Sequence, residues 1–153
     1  AANERIELLL QLPAAVRFIS AEPLLGPLQL DVLRVDDFAS LNGLTGEVSY
    51  AGRGGAPGHT SQRYRRGVDW VIVGGESGHG ARPFELDWAR DVVKDCGRYG
   101  VPCFVKQLGA QPLDSEPGAE ECQVPLQLAS RKGGDPSEWP PELRVREFPA
   151  VQP

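Results

Sequence analysis

The sequence contains no methionine and no long apolar run, and both absences limit what the chain is expected to be. A membrane-spanning helix needs roughly 20 consecutive apolar residues, and no stretch of the chain approaches that length. The first ten residues, AANERIELLL, lack the basic region and apolar core of a secretion signal. We therefore expect no membrane partner. Because an initiator methionine is missing, we also expect the chain to begin inside a longer protein.

The cysteine spacing and the net charge set further limits. The three cysteines, Cys96, Cys103 and Cys122, form neither a disulfide ladder nor a CxxC pair, so a reduced, cytoplasmic setting is predicted. The net charge of −5 disfavours a general nucleic-acid binder but leaves room for a local basic patch. A length of 153 residues is typical of one domain.

The stretch Gly67–Arg82 predicts a buried strand that leads into a ligand-binding loop. The β-branched run 71–73 is apolar on both faces, as in a strand covered by helices. The glycines that follow allow a sharp turn and a close approach of the backbone to a ligand. A helical pattern then begins near Leu86 and continues to about Tyr99. The candidate ligand-binding residues of this loop are Gly74, Gly75, Glu76 and Ser77.

Polar residues also follow two other predicted strands. Glu22 lies just after a strand at 16–20, and Lys106 and Gln107 end a strand that begins at Pro102. If the strands are parallel, their carboxyl ends share one rim, where α/β proteins bind ligands. Carboxylates there would bind an ammonium group or hydroxyl groups of a ligand, and the lysine would bind a carboxylate or phosphate group of the ligand. This set of side chains predicts an amino-acid-like or nucleotide-like ligand. The alternative is that the glutamates and the lysine only form salt bridges with one another.

A basic loop offers a second hypothesis. Residues 36–66 lose regular periodicity, although 48–50 could form an edge strand. The loop within them is basic and predicts either a nucleic-acid contact or a merely solvated segment. Its candidate contact residues are Arg53, Arg63, Arg65 and Arg66.

The order of helix, strand, insertion, strand, helix and strand indicates α/β structure with parallel β/α units. Three strands are few for an independent sheet, so we expect a partial, incomplete TIM-like barrel half. Residues 1–110, with an irregular insertion at 36–66, would form it. Residues 111–153 would be an extended Pro- and Gly-rich tail packed on the domain, in which Trp139 needs a buried position.

Four segments resemble a known family: 14–27 (AAVRFISAEPLLGP), 69–83 (DWVIVGGESGHGARP), 101–109 (VPCFVKQLG) and 131–149 (RKGGDPSEWPPELRVREFP). They resemble the carboxyl half of a phage- and prophage-associated family of unassigned function, the type listed as phage protein gp thirty-seven or gp sixty-eight. Members of that family look like radical S-adenosylmethionine (SAM) proteins. The resemblance implies a cysteine cluster near the amino end that would ligate a [4Fe–4S] centre. It also implies that a Gly-Gly-Glu loop, which residues 74–76 resemble, contacts the methionine amino group of SAM.

This chain departs from that pattern, because none of its cysteines belongs to a three-cysteine cluster. We therefore expect no bound metal and no catalytic residue in this chain alone. SAM and the [4Fe–4S] cluster are expected only for a longer parent that includes the missing amino-terminal half. The predicted function is the substrate side of a radical-SAM-like enzyme. The alternative is a non-catalytic phage module that binds nucleic acid or a host protein through the basic loop.

Overall fold

The computed structural model describes residues 2–52, 58–62, 64, 66–116 and 119–150. This part of the chain contains two α-helices, three β-sheets and two short 3-10 helices. In chain order the elements are α1 (Ala2–Gln11), β1 (Phe18–Ala21), β2 (Leu33–Arg34), β3 (Ala39–Leu41), β4 (Glu47–Tyr50), β5 (His59–Gln62), β6 (Trp70–Gly74), β7 (Phe84–Glu85), α2 (Leu86–Tyr99), β8 (Cys103–Gln107), β9 (Pro112–Glu116), β10 (Ala119–Pro125) and the 3-10 helices Pro136–Glu138 and Pro141–Leu143.

The first sheet is parallel, with strand order β1-β6-β8. Helix α2 connects β6 to β8 and covers one face, where Val71, Val73 and Val105 are fully buried. The predicted helix over 86–99 is present and ends at Gly100, whose φ of 67° is the left-handed conformation typical of a C-cap. The sequence pattern therefore located the strand–helix–strand unit correctly.

An ion-pair network fixes the amino ends of β1 and β6. The Arg17 amide donates to the Asp69 carboxylate at 2.7 Å, and the Asp69 amide donates to the Arg17 carbonyl at 2.7 Å. Arg66 binds Asp69 at 3.1 Å and also donates to the carbonyls of Ala14 and Ala15, each at 2.8 Å. Because the strand starts are aligned, the strand ends are aligned as well.

The second sheet, β2-β3-β4-β5, is antiparallel, and β3, β4 and β5 lie in the insertion at 36–66 that was expected to be irregular. Strand β4 contains the predicted edge strand 48–50, but it lies between β3 and β5 rather than at an edge. Its core side chain, Val48, is fully buried together with Leu41. The strands are short and rich in polar residues, which explains why their periodicity is weak in the sequence.

The third sheet and the tail pack against α2. Strand β9 pairs in parallel with β7 and antiparallel with β10. Arg90 of α2 binds Asp114 at 2.6 Å and Glu142 at 2.8 Å, and these contacts raise the pKa of its guanidinium. The tail then runs along the outer edge of β8, where Phe104 and Arg146 form an antiparallel bridge.

The predicted TIM-like barrel half is wrong. The described residues form three small sheets, one parallel, one antiparallel and one mixed, and no closed barrel. Only one helical crossover joins parallel strands within the first sheet, the one through α2. The connection from β1 to β6 contains the antiparallel sheet instead of a covering helix, so the β/α repeat is interrupted.

Few of the described residues pack on the second face of the parallel sheet. Phe18 is 51% exposed there and contacts Trp70, with 6.0 Å between the ring centroids. Trp70 also contacts Phe104 and Phe148, and Phe148 is 67% exposed. Parallel sheets usually bury both faces, so this aromatic face is unusual.

Neither helix of the described chain has the length and apolar character needed to cross a membrane.

Trp139 should be a major source of stability. It is 1% exposed, and its indole N–H donates to the Gly133 carbonyl at 3.0 Å. We expect Trp139→Ala to lower the free energy of unfolding by roughly 3–5 kcal/mol, because it leaves a cavity. Urea denaturation measures this loss. The control Phe148→Ala removes an exposed ring and should cost far less; equal losses would contradict the prediction.

Candidate functional site

The carboxyl ends of the three parallel strands bring together Glu22 and Lys106, which the sequence predicted to share one rim. The Lys106 Nζ lies 3.3 Å from Glu22 Oε1 and 3.4 Å from Oε2. Ser20 also donates its hydroxyl to Glu22, at 3.0 Å. The lysine side chain is 56% exposed and the glutamate side chain 17%. Such partly exposed pairs contribute only about 0–1 kcal/mol to stability, so this pair can be opened at little cost.

Gly74 makes this contact possible. Glu22 follows β1 and Lys106 lies on β8, so their side chains meet across the end of the central strand β6. A Cβ atom on Gly74 would lie 2.9 Å from Glu22 Oε1. The register also shifts here, since Val73 pairs with Val105 but Gly74 pairs with Gln107. Lys106 is therefore the extra residue of a bulge, a feature that re-aims a side chain.

Gly75 permits a second close approach, between backbones. A Cβ atom there would lie 2.4 Å from the Leu108 carbonyl oxygen. Gly75 donates its amide to the Gln107 carbonyl at 3.0 Å and accepts the Gln107 side-chain amide at 3.0 Å. The role of Gln107 in the structure is thus to hold the start of the Gly-rich loop against β8.

Glu76 binds Arg82 instead of joining Lys106. Arg82 donates Nε to Glu76 Oε2 at 2.8 Å, a second guanidinium nitrogen to Oε1 at 3.3 Å, and its backbone amide to Oε2 at 3.1 Å. These hydrogen bonds hold the pKa of Glu76 below its ordinary value and raise the pKa of Arg82. The carboxylate therefore closes the loop 76–82, and the expected meeting of Glu76 with Lys106 does not occur.

Ser77 lies on a cleft that the sequence did not reveal. The cleft has a volume of about 570 Å³ and is lined by Ser77, Gly78, His79, Ala110, Arg131 and Lys132. His79 belongs to the loop 76–82, but Arg131 and Lys132 come from a segment more than fifty residues later. The only sequence signal was the basic pair before Gly133 and Gly134, and nothing in it indicated which part of the chain it would contact.

Of the four arginines in the basic-loop hypothesis, the structure describes one. Arg53, Arg63 and Arg65 lie outside the described residues. Arg66 is described, and it holds the amino ends of β1 and β6 together through its contacts with Asp69, Ala14 and Ala15. A nucleic-acid role for the other three arginines stays a prediction.

The described cysteines do not fit an iron–sulfur cluster. Cys96 of α2 and Cys103 of β8 are both buried in the core. The hydrogen bond with Cys103, together with burial, raises the pKa of the Cys96 thiol. Within the described residues no group of three or more histidine, cysteine or acidic side chains is arranged to hold a metal. The Cys122 side chain lies outside the described set.

Comparison with known proteins gives one match. A family model described as a protein of unknown function (DUF5131) matches residues 1–133. Neither a curated protein nor a solved structure matches the chain. The match confirms the prediction that the chain resembles an uncharacterised family. It supports neither a phage origin nor a radical SAM protein.

The two glycines at the end of β6 should respond differently to alanine. Gly75→Ala would push a methyl group into the Leu108 backbone, and we expect it to cost roughly 1–3 kcal/mol of stability, as overpacking does. In Gly74→Ala the methyl group meets the flexible end of Glu22 at 2.9 Å and the Gln107 carbonyl oxygen only at 3.3 Å, so it should cost less than Gly75→Ala. Gly97→Ala, which has free space around it in α2, should stabilise the protein by about 0.5–1 kcal/mol. Urea denaturation of the three variants tests this order, and equal effects at 74 and 75 would refute it.

The Glu76–Arg82 pair should be visible in a titration. In Arg82→Met the pKa of Glu76 should rise towards its ordinary value, which carboxyl-carbon NMR measures. Since the folded-state pKa is depressed, the pair stabilises the fold above the unfolded pKa, and this stabilisation is lost as pH falls through the folded pKa. Arg34→Met, which removes an exposed pair with Asp37, should leave the Glu76 titration unchanged. An unshifted pKa in Arg82→Met would contradict the assignment.

Proposed function

We propose that this chain, which belongs to the family of proteins of unknown function DUF5131, binds a small zwitterionic ligand at the carboxyl ends of its parallel strands. The ligand class is amino-acid-like, including a nucleoside that carries an amino acid with its ammonium and carboxylate groups free. The observation that carries the proposal is the Glu22–Lys106 ion pair, which lies across Gly74 at the rim where α/β proteins bind ligands.

The pair is suited to exchange partners with a zwitterion. A ligand ammonium would replace Lys106 as the partner of Glu22, and a ligand carboxylate or phosphate would form an ion pair with Lys106. Each protein charge would keep an opposite charge beside it, so binding would leave no unpaired charge in the site. Because the existing pair is partly exposed and contributes little, the ligand has only a small interaction to displace.

Glu22 is a better candidate for the ammonium than Glu76, to which the family resemblance pointed. The Glu76 carboxylate accepts three hydrogen bonds from Arg82. Binding of an ammonium by Glu76 would require that network to open. Glu22 is bound only by one exposed lysine and the hydroxyl of Ser20 among the described residues. In this proposal Glu76 shapes the loop, and Gln107 positions Gly75.

A further segment that covers the open face of the parallel sheet would complete the site. The uncovered face of the sheet carries the aromatic side chains of Phe18, Trp70 and Phe104. Strand β1 is an edge strand, and within the described residues no strand pairs with its outer side. We propose that a further β/α segment of the parent protein pairs with this edge and covers the face, as parallel sheets require.

SAM is the specific ligand that the family resemblance suggests, since it joins an amino acid to a nucleoside. It stays a hypothesis. An iron–sulfur cluster would need cysteines other than Cys96 and Cys103, because both are buried in the core. The radical SAM role is therefore proposed only for the longer parent, and its substrate is open.

Ligand titration tests whether a zwitterion binds at Glu22 and Lys106. The natural-length gene product, purified without oxygen, should bind SAM or methionine, each of which carries a free ammonium and carboxylate, in isothermal titration calorimetry. We expect Glu22→Gln and Lys106→Met each to weaken binding about 10-fold or more, since each removes a charged hydrogen bond of roughly 1.5–3 kcal/mol.

The matched controls are Glu4→Gln and Lys94→Met, which change the same residue types at exposed helical positions. They should bind as the wild type does. If the natural-length protein binds neither SAM nor methionine, or if the rim variants bind as well as the controls, the proposed function is wrong.

A further inference from the structure

We infer that the cleft between the loop 77–80 and the segment 131–132 is a second binding site, which takes the phosphate or carboxylate group of a small organic anion. The inference is independent of the rim proposal, since it uses neither Glu22 nor Lys106. The cleft volume of about 570 Å³ lies within the range of roughly 300–1,000 Å³ that small-molecule sites occupy.

The charges at the cleft are positive and available. Arg131 and Lys132 line it, are exposed, and form no ion pair or hydrogen bond with any described side chain. The acids along this segment are Asp135, whose carboxylate accepts the Ser137 amide at 2.9 Å, and Glu138, whose carboxylate accepts the backbone amides of Ala129 and Ser130 at 2.9 and 3.2 Å. Glu138 therefore anchors the segment and leaves both cations free for an anion.

The opposite wall contributes backbone donors. In the part of the chain that the structure describes, no acceptor is bonded to the amides of residues 77–80. Gly78 and Gly80 have φ values of 107° and 76°, which glycine adopts without strain. Loops whose successive amides are free in this way form concavities that bind anions. The Ser77 hydroxyl and the His79 ring, which also line the cleft, add two further donors.

Both walls are fixed to the same part of the fold. The Ala110 amide donates to the Glu76 carbonyl at 2.8 Å, next to the loop 77–80. The Leu108 amide donates to the Gly133 carbonyl at 2.8 Å, next to Arg131 and Lys132. Both walls are therefore hydrogen-bonded to residues 108–110, which follow strand β8. This holds the walls at a defined separation before any ligand binds, which reduces the entropic cost of binding.

A smaller groove adjoins the cleft and explains why an organic anion is favoured over a free ion. It has a volume of about 240 Å³, shares Ala110 and Arg131 with the cleft, and is lined partly by Leu126 and Leu128. An anionic head bound by the two cations would have its apolar body over these leucines. The ligand class is thus a small phosphorylated or carboxylated organic molecule.

The test uses the full chain with inorganic phosphate and acetate as separate probes. NMR titration at constant ionic strength should show saturable shifts for the amides of residues 77–80 with at least one probe, and the probe that binds more tightly identifies the anionic group. Arg131→Ala/Lys132→Ala should weaken this binding about 10-fold or more, by loss of two charged hydrogen bonds.

A matched variant separates a site from general charge. Arg5→Ala/Lys94→Ala removes the same number of exposed positive charges elsewhere and should change the affinity less than 2-fold, a threshold far below the 10-fold loss expected at the site. All four substitutions lie on the surface, so melting temperatures should stay unchanged. Glu22→Gln should leave phosphate binding intact, which distinguishes this site from the rim. If neither probe shifts the loop amides, or both double variants weaken binding alike, the inference is overturned.

Discussion

The rim of the parallel sheet depends on close contact between three backbone segments, at Gly75, at 108–109 and at Gly133. A Cβ atom on Gly75 would lie 2.4 Å from the Leu108 oxygen, one on Gly109 would lie 2.6 Å from the Glu76 oxygen, and one on Gly133 would lie 2.7 Å from the Gly109 oxygen. Each glycine thus permits the next segment to approach. Gly109 and Gly133 also have positive φ values of 81° and 58°. A side chain at either position would therefore meet both a steric clash and a strained backbone conformation. The buried Trp139 holds the last segment in place through its bond to the Gly133 carbonyl.

This packing explains how the charged residues of the region divide into two kinds. Glu76 and Arg82 neutralise each other within one loop, and Arg90 is bound by acids from α2, β9 and the tail. These charges hold the fold. Lys106, Arg131 and Lys132 instead project from backbone positions that the glycines fix, and they are exposed. A rigid backbone with exposed charged ends needs little rearrangement to bind a ligand, which favours affinity. The division therefore separates structural from candidate binding charges on geometric grounds.

The sequence predicted the parts of the fold that depend on local periodicity. The strand–helix–strand unit of β6, α2 and β8 follows from the run 71–73 and the apolar stripe of α2, and the meeting of Glu22 with Lys106 follows from parallel pairing. The antiparallel sheet was missed because its strands are two to four residues long, too short to show alternation. The hairpin of β9 and β10 lies in the segment that was expected to be an extended Pro- and Gly-rich tail. The pairing of Glu76 with Arg82, and the cleft that His79 shares with Arg131 and Lys132, depend on loop geometry that no periodicity encodes.

The uncovered face and the charged rim belong to one surface, and this bears on how a complete site would be built. Side chains alternate along a strand, and the pairings of Phe18 with Trp70 and of Ser20 with Ile72 place these four residues on one side of the sheet. Glu22, which accepts the Ser20 hydroxyl, continues that side towards the carboxyl end. The amino end of this face is therefore aromatic and the carboxyl end charged. A covering segment would gain hydrophobic burial over the aromatic end, whereas burying Glu22 and Lys106 would cost desolvation. The same surface thus favours protein contact at one end and an open, ligand-accessible rim at the other.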